Sequence, residues 1–423
     1  MEKDENKKKK PAKVEHDISN RDQLAEELLN IVNKASTDNG KVAFFLDQED
    51  DPSQVTDWIS TGNSELDLAI GNRPNSGFPV GRICEISGEN AAGKSLVVAH
   101  VLAETQRKGG LAILFDTETA LSKEYLRAIG VDTAKLMVIS LDTVEDIFDT
   151  MEAMILKIRL ANKNKLVTIV IDSIAAMTTK TEQDESFAKE GYGTAKAYLL
   201  SKALRKITNL IGKQRILFVC TNQLREKIGF VGLGDKFTTP GGKALPFHAS
   251  VRVRLKSAGQ ITDKDGNVIG MKTEAKVVKN RMGPPFRKAE FNIFFASGID
   301  NYGNWLDRLQ EYGVFKTAKI EKTDETGKKK SKAQIELEKA ALKKEKNFNF
   351  DFTDETLDTA DGDVVNVKEV VQFERKNFLT LLSERPEVKD FLYMKLCKKF
   401  IFKYDNPDNK NSGEIEIIEG TDE

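Results

Sequence analysis

The sequence predicts an α/β fold, in which a mostly parallel central sheet is covered by helices on both faces. Five short runs rich in Ile, Leu and Val alternate with helical patterns, and each run is apolar almost throughout, which is typical of a strand buried on both faces. These runs are residues 82–87, 111–116, 136–140, 166–172 and 215–221. Ligands of such sheets bind beyond the carboxyl ends of the strands, so the polar residues after each run are the candidates for function.

A glycine-rich turn follows the first run and reads G-x-x-x-x-G-K-S. It consists of Gly88, Glu89, Asn90, Ala91, Ala92, Gly93, Lys94 and Ser95. The N–H groups of such a turn point at a phosphate chain that lies on the N-terminus of the next helix, here predicted over 96–108. We expect Lys94 to reach the terminal phosphates and the Ser95 hydroxyl to bind Mg²⁺. The alternative is a bare glycine turn, but the strand before the motif and the helix after it favour nucleotide binding.

Polar side chains end three of the other runs. Glu118 follows the second run, where a carboxylate can activate a water for attack on a γ-phosphate. Asp172 ends the fourth run, the usual source of a carboxylate that supports Mg²⁺. Gln223 follows the fifth run and offers a phosphate a neutral amide. Each residue alone also fits an ordinary turn, but together, beside a phosphate turn, they favour nucleotide hydrolysis.

Residues 224–243 form an unusual segment that contains five glycines, four cations and the aromatics Phe230 and Phe237. A glycine-rich loop of about 20 residues is uncommon inside a compact domain unless it is functional or disordered. Cations that neutralise phosphates and aromatic groups that stack suit single-stranded nucleic acid; a mobile surface loop is the alternative. Ser201 and Arg205 share a face of a helix predicted over 194–212, for which an exposed helix face is the alternative.

Beyond this loop the sequence predicts an antiparallel extension of the sheet, with a strand that begins at His248. Further strands are expected at 273–279 and 290–295, and Asp265 opens a hairpin signal with the glycine after it. Lys279 and Arg281 are two residues apart, so in a strand they point to the same side and can reach a phosphate. A solvated edge is the alternative for this pair.

The two ends of the chain differ from this core. Residues 1–19 are a lysine-rich arm, interpreted as solvated, with a nucleic-acid contact as the alternative. An amphipathic helix is predicted over 20–34 and a strand-like run over 41–46, and both must pack on the rest of the chain or on another copy of it. After the charged segment 316–346, apolar periodicity over 370–402, including Val371 and Phe373, predicts a small helical C-terminal domain.

Composition limits the class of protein. The chain has 423 residues, and its 65 Lys and Arg nearly balance its 66 Asp and Glu, so any nucleic-acid surface must be local. Cys84, Cys220 and Cys397 are far apart, give no metal spacing and suit buried, reduced thiols. We find neither a signal peptide nor an apolar stretch of roughly 20 residues, which predicts a soluble cytoplasmic protein without a membrane partner.

Taken together, these residues resemble the RecA family of DNA recombinases. The matching segments keep their order and cover well over half of the chain: residues 59–62, 79–83, 88–95, 116–121, 171–176, 222–229, 241–245, 277–281 and 289–291. The resemblance implies an ATP-dependent recombinase that forms a helical filament on single-stranded DNA and promotes pairing and strand exchange with double-stranded DNA. It also implies DNA-stimulated ATP hydrolysis, with ATP and Mg²⁺ bound.

The resemblance assigns a role to each candidate residue. The catalytic set is Glu118, which activates the water, Lys94, Gln223, which senses the γ-phosphate, and Lys279 and Arg281, which reach the ATP of the neighbouring subunit. Ser95 and Asp172 serve the metal. Adenine contacts fall to Tyr125 and Phe295. The DNA-binding set is Ser201, Arg205, Arg225, Lys227, Phe230, Gly241, Gly242 and Lys243.

The resemblance also implies a domain plan and leaves alternatives open. Residues 1–56 would pack on the adjacent protomer, 57–300 would form the ATPase core, and 301–423 would form an enlarged C-terminal domain. The chain departs from the family pattern at Ser122, near adenine, and at Tyr198, where a basic contact is usual. A non-enzymatic regulator and a ring helicase or clock-type ATPase on the same core are the alternatives.

Overall fold

The structure, a computed structural model, describes residues 22–35, 42–45, 54–119, 122–184, 192–227, 236–314, 316–317, 347–351, 357–358, 364–365 and 370–403. The helices are α1 Gln23–Ala35, α2 Ser64–Gly71, α3 Lys94–Arg107, α4 Lys123–Ile129, α5 Val144–Ala161, α6 Lys180–Asp184, α7 Tyr192–Lys213, α8 Ala244–His248, α9 Trp305–Glu311, α10 Phe378–Glu384 and α11 Pro386–Phe400. The strands are β1 Trp58–Ile59, β2 Phe78–Pro79, β3 Ile83–Gly88, β4 Leu111–Asp116, β5 Leu136–Ile139, β6 Val167–Asp172, β7 Ile216–Gln223, β8 Arg225–Glu226, β9 Phe237–Thr238, β10 Val251–Thr262, β11 Val268–Asn280, β12 Lys288–Phe294, β13 Gly298–Ile299, β14 Lys316–Thr317, β15 Asn347–Asp351, β16 Leu357–Asp358, β17 Val364–Val365 and β18 Val370–Glu374.

Nine strands form the central sheet, in the order β13-β12-β11-β10-β3-β7-β6-β4-β5. The strands from β10 to β5 are parallel, and β11, β12 and β13 continue the sheet in antiparallel fashion. The predicted fold class is therefore confirmed: the five apolar runs are β3 to β7, and the extension follows them.

Hydrophobic side chains fill both faces of β3, β4, β6 and β7, which explains why these strands are apolar almost throughout. The edge strand β5 differs, because Met137 and Val138 are exposed, so the predicted burial on both faces is wrong for the run 136–140. In β7, Leu217 and Val219 belong to the core beneath α3, while Phe218 and Cys220 belong to the core beneath α5 and α7. All four side chains are fully buried. Because successive strand residues point to opposite faces, each face demands its own apolar set, and alternation disappears from the sequence.

The hairpin of the extension forms where the sequence predicts it. The Asp263 carboxylate accepts the N–H groups of Asp265 and Asn267, both at 2.9 Å. Gly266 follows with a φ of +86°, a conformation that favours glycine. The prediction that His248 begins a strand is wrong. His248 ends α8, and β10 starts at Val251.

The described N-terminal helix carries its apolar face in solvent. Leu24, Leu28 and Ile31 are all more than half exposed, and α1 has no buried residue. The Asn33 side chain bonds the backbone of residues 42–43, which holds this segment against the helix. Residues 42–45 have no strand, in contrast to the prediction, and the rest of that run lies outside the described residues.

The C-terminal part contains a sheet as well as helices. Val371 and Phe373, predicted within a helical pattern, lie on β18 of a three-stranded antiparallel sheet with β14 and β15. They join α9, α10 and α11 in a third hydrophobic core that also includes Leu68 of α2. Most of the charged segment 316–346 lies outside the described residues. In the part of the chain that the structure describes, no helix is long and apolar enough to cross a membrane.

Candidate nucleotide and DNA site

The phosphate turn is built by two crowded glycines. A Cβ on Gly88 would lie 2.8 Å from the Leu255 carbonyl oxygen, and one on Gly93 would lie 2.6 Å from Ile293 Cδ1. Gly93 also has a φ of +94° and caps α3, which begins at Lys94. The helix thus starts two residues before the predicted 96–108 span. A side chain at Gly88 would clash with the Leu255 backbone, and one at Gly93 would be strained by its positive φ, so either substitution would disturb this turn.

The Lys94 amine folds back over this turn. Its Nζ donates hydrogen bonds to the carbonyl oxygens of Gly88 (3.2 Å) and Glu89 (2.7 Å). Burial lowers the pKa of Lys94, while the nearby carboxylates of Asp172 and Glu118 act in the opposite direction. The Lys94 amine therefore bonds two neutral carbonyl oxygens. The charged oxygens of a bound phosphate chain are stronger acceptors and can take their place.

Asp172 and Ser95 form the candidate metal site. The Asp172 carboxylate accepts hydrogen bonds from the hydroxyls of Thr221 and Ser95. Burial raises the pKa of Asp172, and the neighbouring Glu118 carboxylate adds to the rise. A hydroxyl and a carboxylate are oxygen ligands that fit Mg²⁺. Among the described residues there is no cluster of three His, Cys, Asp or Glu side chains that could hold a metal alone.

Hydrogen bonds between the ends of β4 and β6 hold Glu118 in place, and we call the pair formed by Thr117 and Ser173 the clasp. Ser173 Oγ donates a 2.6 Å hydrogen bond to Glu118 Oε1. The Thr117 hydroxyl donates to the Ser173 carbonyl oxygen (2.9 Å) and accepts the Ser173 N–H (2.8 Å). The Asp116 carboxylate accepts the N–H groups of Glu118 and Thr119. Sequence reasoning missed Thr117 and Ser173, although each directly adjoins a carboxylate that it had singled out.

Gln223 ends β7 directly beside the phosphate turn. It is the register partner of Gly88, whose carbonyl oxygen accepts the N–H of the residue after Gln223 at 3.1 Å. The preceding residue, Asn222, is fully buried and donates through Nδ2 to Glu85 Oε1 (3.2 Å) and to the Pro240 carbonyl oxygen (3.1 Å). The end of β7 thus touches both the phosphate turn and the far base of the 224–243 segment.

The near base of this segment is a short hairpin. Strands β8 and β9 pair, and the Lys227 N–H donates to the Lys236 carbonyl oxygen at 2.9 Å. Arg225 and Lys227 are exposed there, whereas Phe230 lies outside the described residues. The predicted long loop therefore includes a regular ladder at its base.

The far base of the segment packs on α7. Gly241 and Gly242 have φ values of +91° and +76°, and a Cβ on Gly241 would lie 2.7 Å from Leu200 of that helix. Ser201 and Arg205 lie on α7 as well, and Lys243 follows the two glycines as an exposed cation. The structure thus brings the two predicted DNA-contacting regions together.

The two candidate adenine residues lie on elements that flank the turn. Tyr125 belongs to α4, whose start is capped by the Ser122 hydroxyl, and it is partly buried against the same core as α3. Burial raises the pKa of Tyr125. Phe295 follows β12 and is 51% exposed, two residues after the Ile293 side chain that approaches Gly93.

Lys279 and Arg281 lie away from this chain's own phosphate turn. Lys279 is the register partner of Arg252, which is in turn the partner of Glu85 on β3. Glu85 precedes Gly88 by three residues, about 10 Å along a strand. The Arg281 N–H donates to the Ser250 carbonyl oxygen, and the Ser250 N–H donates to the carbonyl oxygen of Ile83, the first residue of β3. Arg281 therefore lies still farther from Gly88. The structure therefore does not bring these cations together with Lys94.

Instead, these cations surround α8. Lys279 Nζ donates to the carbonyl oxygens of Pro246 and Phe247, both at 2.8 Å. Burial, then Arg281 and Arg252, lower the pKa of Lys279 to about 8. His248 has a lowered pKa from burial and then from Arg205, Lys279 and Arg281. The predicted DNA cation Arg205 thus lies within electrostatic range of the same cluster.

Comparison with known proteins agrees with this geometry. The family model described as the RecA N-terminal domain matches residues 26–300. Protein RecA of Ruminococcus albus is 39% identical over 313 residues, which are 74% of this chain and 75% of that protein. Protein RecA of Helicobacter pylori strain G27 is 38% identical over 290 residues, covering 67% and 80% of the two chains. For Protein RecA of Clostridium acetobutylicum the identity is 41% over 268 residues, covering 63% and 73%.

Proposed function

The chain belongs to the RecA family, and we propose that it works as a switch, in which ATP held between neighbouring copies controls the grip of residues 224–243 on DNA. It is an ATP-dependent DNA recombinase that acts in recombination and repair. It hydrolyses ATP in a DNA-dependent manner, and it binds DNA as a filament of many copies. We further propose that single-stranded DNA is the strand bound first and double-stranded DNA the strand exchanged.

The hydrolytic step uses groups of this chain at the carboxyl edge of the sheet. Glu118 accepts a proton from a water whose oxygen bonds to the γ-phosphorus, and the bond from that phosphorus to the bridging oxygen breaks. Lys94 neutralises charge on the terminal phosphates. The single observation that carries this proposal is the convergence of Glu118, Lys94 and Asp172: both carboxylates lie close enough to Lys94 to favour its charged form, and Glu118 lies close enough to raise the pKa of Asp172.

Mg²⁺ would be held by Ser95 and supported by Asp172. When bound, the ion neutralises negative charge on the β- and γ-phosphates. The chain's own contribution is to keep the Asp172 carboxylate fixed through Thr221, so that its orientation does not depend on the ligand.

The cations around α8 act on another copy's nucleotide. The strand register places Lys279 and Arg281 away from the phosphate turn of their own chain. They are therefore available to bind the phosphates of ATP held by a neighbouring copy. In this arrangement the two residues neutralise charge that develops on the transferred phosphoryl group, and hydrolysis requires assembly.

The switch runs through the end of β7. Gln223 contacts the γ-phosphate, and any shift of this strand end moves Asn222, which is bonded to Pro240 at the far base of the DNA segment. ATP and DNA then favour the same state of this segment, so each strengthens the binding of the other. Hydrolysis removes the γ-phosphate contact and weakens the grip on DNA.

The test compares Glu118→Gln with a matched Glu124→Gln control, an exposed carboxylate on α4. A general base typically raises the rate of a reaction by about 10²-fold or more. Glu118→Gln should therefore reduce the rate of ATP turnover by about 10²-fold. It should still bind ATP and form filaments on single-stranded DNA in electron micrographs, whereas Glu124→Gln should behave as the unaltered protein. Unchanged turnover in Glu118→Gln would remove this residue from catalysis, and a turnover indifferent to DNA would contradict the switch.

A further inference from the structure

Helix α7 exposes an aromatic ring on the face that carries Ser201 and Arg205. Tyr198 is 71% exposed. It precedes Ser201 by three residues and Arg205 by seven, a spacing that places all three on one helical face. The opposite face, with Leu200 and Leu204, is fully buried in the core. This burial fixes the rotation of α7, so the Tyr198 side chain is directed outward.

The base of the 224–243 segment lies against the same turn of the helix. A Cβ on Gly242 would be 3.1 Å from that of Ala197, the residue before Tyr198. Lys243, the next residue along the segment, is exposed. The far base of the segment therefore lies beside the turn of α7 that carries Tyr198, and Lys202 and Arg205 follow Tyr198 on the same exposed face of the helix.

The residues around Tyr198 distinguish between the possible uses of an exposed ring. A protein-docking patch needs contiguous apolar surface, but the neighbours on this face are Ser201, Lys202 and Arg205. Cations and a hydroxyl suit a phosphate backbone, and an aromatic face among them suits the bases that the backbone carries. Tyrosine fits this task because its rigid ring loses little conformational entropy on binding.

We propose that Tyr198 stacks on a base of bound single-stranded DNA, while Ser201 and Arg205 hold the adjacent backbone. This inference rests on the proposed DNA role of α7. Stacking is tolerant of sequence, because every base has a flat π-face. It adds affinity that does not depend on salt, whereas contacts to phosphates lose affinity as salt rises.

The experiment measures binding to two oligonucleotides of equal length with a slowly hydrolysed ATP analogue, one normal and one with abasic sites that keep every phosphate. Tyr198→Ala should weaken binding to normal DNA by about fivefold or more. It should leave the slope of affinity against salt unchanged, and its effect should vanish on the abasic strand. Tyr198→Phe, which keeps the ring, should bind like the unaltered protein. Arg205→Ala should instead weaken binding to both strands and make the salt slope shallower.

Phe402→Ala, which removes an exposed ring two residues after α11 ends, is the matched control and should not change binding. Equal losses by Tyr198→Ala on both strands would overturn stacking, as would a loss in Tyr198→Phe that matches the alanine variant. If Tyr198→Ala binds normally while Arg205→Ala does not, the inference fails but the DNA role of α7 stands. If neither variant loses affinity, the proposed DNA role of α7 fails with it.

Discussion

The carboxyl edge of the parallel strands and the cation cluster around α8 differ in how their charges are balanced. At the carboxyl edge, Lys94 lies near the carboxylates of Asp172 and Glu118, and hydroxyls hold both acids in place. Around α8, Lys279 and Arg281 lie together, and the Glu85 carboxylate that favours charged Lys279 is already paired with Arg252. The charges at the carboxyl edge are therefore balanced within the chain. The cations around α8 would be stabilised by an anion from another molecule.

In the proposed function, this difference separates a part of the site that works within one copy from a part that needs a neighbouring copy. A balanced, hydrogen-bonded edge can exist in a single copy and receive ATP there. A cluster of cations is stabilised when an anion is brought to it, because like charges repel, and this repulsion contributes to the lowered pKa of Lys279. The triphosphate of an adjacent copy is such an anion. In the proposed filament, ATP bound at the carboxyl edge of one copy would contact the cations around α8 of the next copy.

The largest expected effect comes from a substitution in the cation cluster around α8. Arg281→Ala should reduce ATP turnover by about 10³-fold, since an arginine supplied in trans to a phosphoryl transfer is worth at least that much. Mixing this variant with Lys94→Ala protein should restore part of the activity, because a seam between the two can combine an intact turn with an intact Arg281. Steady-state ATPase assays at several mixing ratios measure this recovery. Lys264→Ala, at the tip of the β10–β11 hairpin, is the cation control. A mixture as inactive as its components would refute the trans role.

A smaller effect concerns the balanced edge. Ser173→Ala removes the 2.6 Å hydrogen bond that holds the Glu118 carboxylate, so we expect turnover to fall by about tenfold, in keeping with a hydrogen bond to a charged group. In a Glu118→Gln background the same change should have little further effect, because the two side chains act as one unit. Single-turnover ATPase rates of the four proteins measure this coupling. Additive losses would show that Ser173 acts independently of Glu118.

The smallest effect is a pH dependence of assembly. The pKa of Lys279 is lowered to about 8, so its positive charge is present below that pH and is lost above it. If ATP of a neighbour binds charged Lys279, the ATP concentration needed for assembly should rise above pH 8, by at most about tenfold per pH unit. Light scattering with ATP titrations from pH 7 to pH 9 follows this change. Lys279→Arg keeps its charge over the whole range, so a matching rise in that variant would exclude Lys279 as the cause.

Much of the candidate site follows from sequence because its motifs are local. The turn around Lys94 needs only its own glycines and the following helix, and Glu118, Asp172 and Gln223 each lie at or within two residues of the end of an apolar run. The clasp between Thr117 and Ser173 is not local, because it joins two strands whose register forms only when the sheet assembles. The alternating segment predicts a strand at His248, but the short helix α8 ends at this residue and the strand begins only at Val251.

By itself, the sequence determined the parallel core, its antiparallel extension and the phosphate turn, since apolar periodicity and glycine spacing act over a few residues. Only the tertiary structure decided which strand ends became neighbours and that β7 bonds the far base of the DNA segment through Asn222. It also set Lys279 apart from the chain's own Lys94, because register between distant strands is fixed by packing across the whole sheet.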